Sequence, residues 1–230
     1  MSRTSPLPVG RDRPTTDTDA LARIERLGVI PVVEVESVKD AGLLLDALIA
    51  GGLPAAEITL RTEAGVATIA ALRNARPDAL IGAGTVRSAA EARQVIEAGA
   101  QFVVAPGTNP EVIEVCRAAG VTVVPGACTP TEIETALRAG ADAVKFFPAE
   151  AMGGTAFLKS LAGPYRDVRF VPSGGISAAN VADYLGIDQV LACGGSWMVA
   201  QELIADGDFD RVQALAREAA AIVAGVRAGG

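Results

Sequence analysis

Along this chain a short apolar run is followed, again and again, by a polar cap and then an amphipathic stretch. The runs lie at 29–35, 56–60, 80–86, 102–106, 121–126, 143–148, 169–174 and 190–195, spaced by roughly two dozen residues. That spacing is the mark of βα units in a parallel sheet, where each strand is covered by the helix that follows it. The helix starts are legible. Ser88 with Glu91 and Thr129 with Glu132 read as capping boxes, the second with Pro130 at the first helical position. Asn109-Pro110-Glu111 caps another helix, and Thr62-Glu63 and Ser177 read as further starts. Helices end on glycine, at Gly51-Gly52, Gly99, Gly120 and Gly140.

Eight such units in a 230-residue chain predict a (β/α)8 barrel, an architecture of typically ~250 residues. Residues 16–230 read as one barrel domain, with an additional N-terminal helix over 17–27 placed to plug the barrel bottom and a last helix over 208–226. An open doubly wound sheet is the alternative, but eight regular units favour closure. Residues 1–15 carry Pro, Thr, Ser and Arg without an apolar stretch and read as a flexible leader, not a signal peptide. No apolar run approaches the length of a membrane span.

Composition narrows the function. The net charge of −7 argues against nucleic acid as a partner, which calls for a basic face. A small anionic ligand stays open, because a local cluster can oppose the global sign. There is no histidine, which removes the commonest general base and transition-metal ligand. Cys116, Cys128 and Cys193 are odd in number and far apart, so they read as reduced cytoplasmic thiols and not as a disulfide frame or zinc site.

The chemistry falls to Lys145. It is one of only three lysines, with Lys39 and Lys159, in a chain that otherwise uses arginine for positive charge. It lies within an apolar run, as a buried strand would place it. Burial disfavours the charged form of an amine, and a neutral amine attacks carbonyls; arginine cannot do this because it does not deprotonate. The plainer reading is a strand-end lysine in solvent or paired with a carboxylate.

Strand position sorts the remaining polar residues, since barrel active sites gather at the C-terminal ends of the strands. Side chains alternate, so Glu57, Thr59 and Arg61 share a face opposite Ile58 and Leu60, and Ala143, Lys145 and Phe147 share one opposite Val144 and Phe146. Glu57 and Lys145 are then both interior groups, and Arg61 stands at the mouth, suited to grip a carboxylate with two hydrogen bonds. A space-filling ion pair is the structural alternative for Glu57 and Lys145, although such a pair adds little stability. Thr85 ends a glycine-rich strand and offers a hydroxyl. Ser173-Gly174-Gly175 and Gly194-Gly195-Ser196 close the last two strands, where many barrels hold a phosphate on backbone N–H groups; the first pair precedes the Ser177 helix, whose N-terminus would favour an anion.

Two long segments, GLPAAEITLR at 52–61 and GADAVKFFPAEAMG at 140–153, resemble the signatures of the 2-keto-3-deoxy-6-phosphogluconate (KDPG) and 4-hydroxy-2-oxoglutarate (KHG) aldolases. The segments GAGT at 82–85, FVVAPG at 102–107 and PSGG at 172–175 are similar to that family too. The resemblance spans roughly residues 20–205. It implies a class I aldolase on a (β/α)8 barrel, usually trimeric, with neither metal nor cofactor, acting on a 2-keto-3-deoxy sugar acid phosphate and releasing pyruvate.

By resemblance Lys145 forms the Schiff base and Glu57 is the general acid/base, while Arg61 and Thr85 hold the pyruvate carboxylate. Pro106 and Phe147 shape the pocket, and Gly174, Gly175 and Ser196 take the phosphate. Ser173 stands where the gluconate enzymes carry Thr and the galactonate enzymes an apolar residue. Its hydroxyl points to the gluconate substrate, with a 2-dehydro-3-deoxy-6-phosphogalactonate aldolase as the alternative. Two other readings stay open: a phosphate-binding barrel isomerase or epimerase, and a non-catalytic phosphosugar-binding barrel. Cys128, after the fifth strand, has no assigned role.

Overall fold

A computed structural model describes residues 19–229; the leader 1–15, the first two residues of the helix expected from position 17, and Gly230 lie outside them. Six parallel strands form one curled sheet in the order β5-β4-β3-β2-β1-β6. They are β1 (Val29–Val33), β2 (Ala55–Thr59), β3 (Leu80–Gly84), β4 (Phe102–Val104), β5 (Thr122–Val124) and β6 (Cys193–Gly195). The first five follow one another in space as in sequence, and β6 returns to pair with β1.

Two of the expected strands, 143–148 and 169–174, form no ladder. They hold isolated parallel bridges only: Gly126 with Lys145, Val144 with Phe170, Phe170 with Val190, and Ser173 with Gly194. Proline is the physical reason. Pro148 and Pro172 lack the N–H that a ladder needs, and Gly174 turns the chain out of extended geometry at φ 96°. Single backbone bonds still carry the pairing from β5 toward β6. Lys145 N donates to Pro125 O (2.7 Å), Phe146 N to Val171 O (3.2 Å), and Leu191 N to Phe170 O (2.9 Å).

The first helix, α1 (Ala20–Leu27), precedes β1. The outer helices are α2 (Ala41–Ala50), α3 (Gly65–Ala75), α4 (Ala89–Glu97), α5 (Pro110–Ala118), α6 (Pro130–Ala139), α7 (Gly154–Ala162) and α8 (Val181–Leu185), followed by α9 (Gln201–Ala205) and α10 (Phe209–Ala228). Both expected capping boxes form, at Ser88 for α4 and Thr129 for α6, and Asn109 caps α5. Gly140 closes α6 in the left-handed conformation, as its position implied.

Two expected starts are displaced. Thr62 does not cap α3, which begins at Gly65; its hydroxyl donates instead to Val35 O at 2.6 Å, tying the loop after β2 to the loop after β1. Ser177 does not begin α8 either. Its N–H donates to Asn180 Oδ1 (2.8 Å) and the helix starts only at Val181. A hydroxyl residue near a helix is drawn to whichever backbone group lies closest, and here a turn competes with the cap.

The sheet has two apolar faces. Ile58, Val144 and Phe146 belong to the outer core under the helices. Ala55, Phe102, Ala143 and Val171 belong to a separate interior cluster, with Ile24 of α1 among them. The alternation expected along the Glu57 and Lys145 segments is therefore obeyed. α1 is stopped by Gly28 at φ 68° and lays Ala20 and Ile24 against the interior residues.

Candidate active site

At the C-terminal ends of the strands a cavity of about 320 Å³ opens. The parallel register fixes which side chains reach it. Val32 of β1 is level with Glu57 of β2, and Glu57 with Gly82 of β3. Glu57, Arg61, Thr85, Lys145, Phe147, Ser173, Gly174, Gly175 and Ser196 all line it. Nine of the ten expected site residues are thus brought together from five separate chain segments. Pro106 is the exception. It does not line the cavity, and its carbonyl lies so close to Gly126 that a Cβ there would sit 2.1 Å from it. Pro106 packs its carbonyl against the segment that follows β5.

Glu57 and Lys145 form the deepest part of the pocket. They are 4% and 7% exposed, and Lys145 Nζ lies 3.6 Å from Glu57 Oε1. That separation is longer than a normal hydrogen bond, and Glu57 Oε1 has no hydrogen-bond partner. A buried oxygen left unpaired is costly in a site that only stabilises the fold. Here it faces the cavity beside an amine. Gly84 makes the placement possible, because a Cβ there would come within 2.3 Å of Glu57 Oε1. Lys145 Nζ also stands 4.9 Å from the centre of the Phe147 ring, a cation–π contact.

The Phe147 segment is held from behind. Cys128 Sγ donates to Phe147 O at 2.6 Å, and burial pushes this thiol above its ordinary pKa. Cys128 therefore sits beside the pocket wall and not in the cavity lining.

Arg61 projects at the mouth, with its side chain 55% exposed, and its Nη1 donates to Glu34 Oε2 at 3.1 Å. A pair this exposed contributes about 0–1 kcal/mol, so it ties Arg61 only loosely at the mouth. Thr85 takes φ 61°, a left-handed conformation rare for a β-branched residue, and strain of this kind gathers at functional sites.

The glycine loop lines the same cavity. Gly174 and Gly175 have φ 96° and 82°, and a Cβ on Gly175 would meet Glu150 Cβ at 2.6 Å. Gly174 O accepts from Glu150 N (3.0 Å) and Gly175 O from Asn180 Nδ2 (3.0 Å). Because a trans peptide points its N–H opposite to its carbonyl, the Gly175 N–H is directed away from Glu150. The helix N-terminus expected at Ser177 plays no part here, since α8 starts later and has five residues.

Reading the sequence missed Glu34 as a site residue. It follows β1 directly and shares the face of Val32, and both line the cavity. The same period of two that placed Glu57 and Arg61 was the available signal. Among the described residues no group of three His, Cys, Asp or Glu side chains comes together as a metal site.

A family model described as KDPG and KHG aldolase matches residues 21–215. The chain belongs to the KDPG and KHG aldolase family. A 2-dehydro-3-deoxy-phosphogluconate aldolase of Treponema pallidum is 52% identical over 87% of this chain and 95% of its own. Among solved structures, the KDPG aldolase of Legionella pneumophila, with pyruvate captured at low pH as a covalent carbinolamine intermediate, superposes with a TM-score of 0.83 at 36% identity, covering 86% of this chain and 96% of that one. The 2-keto-3-deoxy-6-phosphogluconate aldolase of Zymomonas mobilis ZM4, solved with 3-phosphoglycerate, gives 0.81 at 38% identity over 90% and 96%. Glu57 and Lys145, the pair singled out by the sequence, are both buried and both line the cavity.

Proposed function

We propose that this protein is a class I aldolase that cleaves 2-dehydro-3-deoxy-6-phosphogluconate to pyruvate and glyceraldehyde 3-phosphate, and 4-hydroxy-2-oxoglutarate to pyruvate and glyoxylate. The observation that carries the proposal is the buried Lys145 amine beside the unpaired Glu57 oxygen. Lys145 Nζ attacks the C2 carbonyl, and loss of water gives an iminium. Glu57, through a water, takes the C4 hydroxyl proton. The C3–C4 bond breaks, its electron pair enters the iminium to form an enamine, and the aldehyde leaves. The proton returns to C3, and hydrolysis frees pyruvate and the Lys145 amine. The iminium supplies the electron sink, so the scheme calls for no metal.

Arg61 and Thr85 hold the pyruvate carboxylate, and Phe147 and Ser173 bound the reacting carbons. The N–H groups of Gly174 and Gly175 and the Ser196 hydroxyl take the terminal phosphate. These roles are supported by the place of all seven residues around one cavity. The ring of single backbone bonds between β5 and β6 supports reading the curled sheet as an eight-stranded (β/α)8 barrel. The exposed Leu43, Ile49 and Met152 are apolar side chains of the kind a homotrimer would cover, and sedimentation would measure that assembly. Three free cysteines suit a cytoplasmic setting.

The test is reductive trapping. Incubation with pyruvate and borohydride should add one stable adduct per chain, mapped by mass spectrometry to Lys145 and not to Lys39 or Lys159. An adduct elsewhere, or none, overturns the aldolase.

A further inference from the structure

Glu34 is the one charged residue of the cavity that the reaction scheme leaves without a task. The charged side chains lining the cavity are Glu34, Glu57, Arg61 and Lys145. Glu57 and Lys145 are committed to the chemistry and Arg61 to the C1 carboxylate. When that carboxylate arrives, Arg61 divides its charge between it and Glu34, which is 3.1 Å away. Among the described residues the lining holds no further cation to neutralise a second anion placed near Glu34.

The position of Glu34 says which part of the substrate it meets. Val32 is level with Glu57, and Glu34 lies two residues further along the same strand face, toward the mouth. β1 lies between β2, which leads to Arg61, and β6, which leads to Ser196, so a substrate attached at Lys145 with its C1 carboxylate at Arg61 and its phosphate at Ser196 runs the carbon after C4 past Glu34. In 2-dehydro-3-deoxy-6-phosphogluconate that next carbon, C5, carries a neutral hydroxyl, which can donate to a carboxylate. In 4-hydroxy-2-oxoglutarate C5 is itself a carboxylate. We infer that Glu34 is a specificity-determining residue: it accepts a hydrogen bond from the hydroxyl of the phosphorylated sugar acid and repels the second carboxylate of the dicarboxylate substrate. A fixed charge that opposes the wrong ligand is a common route to discrimination.

This inference rests on the aldolase reading, and the experiment separates the two. Glu34→Gln keeps the shape of the side chain and removes its charge. Steady-state cleavage of both substrates is measured for the unmodified protein and the variant, with pyruvate trapping at Lys145 as the check that the site is assembled. The expected result is a rise of about tenfold in kcat/KM for 4-hydroxy-2-oxoglutarate, equivalent to about 1.4 kcal/mol, with a fall for the phosphorylated substrate. Glu34→Asp, which restores the charge, should move the ratio back toward that of the unmodified protein. A trapping-competent Glu34→Gln with an unchanged ratio overturns the inference alone. So does an equal loss on both substrates, which would make Glu34 only a support for Arg61. Failure of the unmodified protein to cleave either substrate overturns the aldolase reading and this inference with it.

Discussion

Lys145 Nζ lies 3.6 Å from Glu57 Oε1, and that oxygen accepts no hydrogen bond although it is buried. The amine and the carboxylate are near enough to influence one another, yet neither is consumed by the contact.

Removing either partner should therefore have a different signature. Lys145→Arg keeps a positive charge but loses the nucleophile, so both borohydride trapping and cleavage should disappear. Glu57→Gln keeps the shape and loses the base. It should still trap pyruvate while cleavage falls by about 10²–10⁴, the usual share of general acid–base catalysis. Full cleavage by Lys145→Arg, measured by coupled pyruvate assay, would sink the mechanism.

The glycine loop and Ser196 should matter only for substrates with a phosphate. Ser196→Ala is expected to lower kcat/KM several-fold for the phosphorylated sugar acid and to leave 4-hydroxy-2-oxoglutarate nearly unaffected. Gly175→Val should do so more severely, because its side chain would also meet Glu150 Cβ at 2.6 Å. Equal losses on both substrates for Ser196→Ala would place the phosphate elsewhere.

Ile24 of α1 is 2% exposed and fills the interior beneath the Glu57–Lys145 pair. Ile24→Ala should destabilise the fold by about 2–5 kcal/mol, the ordinary cost of emptying a core site. Urea unfolding followed by circular dichroism measures this. A change within experimental error would mean that α1 is not a working plug.

The buried thiols make stability depend on alkaline pH. Burial pushes Cys116 up to about 11 and raises Cys128 and Cys193 as well. A thiol whose folded pKa exceeds its unfolded value of about 9 stabilises fully below pH 9. Because the unfolded chain then sheds the proton more easily, that stability is lost as pH rises from about 9 to 11. The melting temperature should fall through that window, and less steeply in Cys116→Ala. Thiolate is also the reactive form, so a thiol reagent at neutral pH should label the three cysteines only after unfolding.

The catalytic scheme draws its electron sink from an imine. Activity should survive exhaustive treatment with EDTA, followed by cleavage assays with and without added divalent ions. A loss restored only by a divalent ion would move the enzyme to the metal-dependent class.

The sequence by itself determined what depends on local period and on rare residue types. Alternation along 56–60 and 143–148 set Glu57 and Lys145 on the interior face, because a strand must divide its side chains between two environments. The capping boxes at Ser88 and Thr129 formed because all their partners lie within one helical turn. Tertiary structure decided what depends on distant neighbours. Thr62 gave up a helix cap for Val35 O, which only the adjacency of β1 and β2 brings within reach. The Pro106 carbonyl packs against Gly126, just beyond β5, because a glycine there leaves room for it. Glu34 met Arg61 across 27 residues, a pairing that no spacing rule contains and that parallel register alone creates. Local rules place a side chain on a face, but only the packed sheet fixes which other side chain stands across from it.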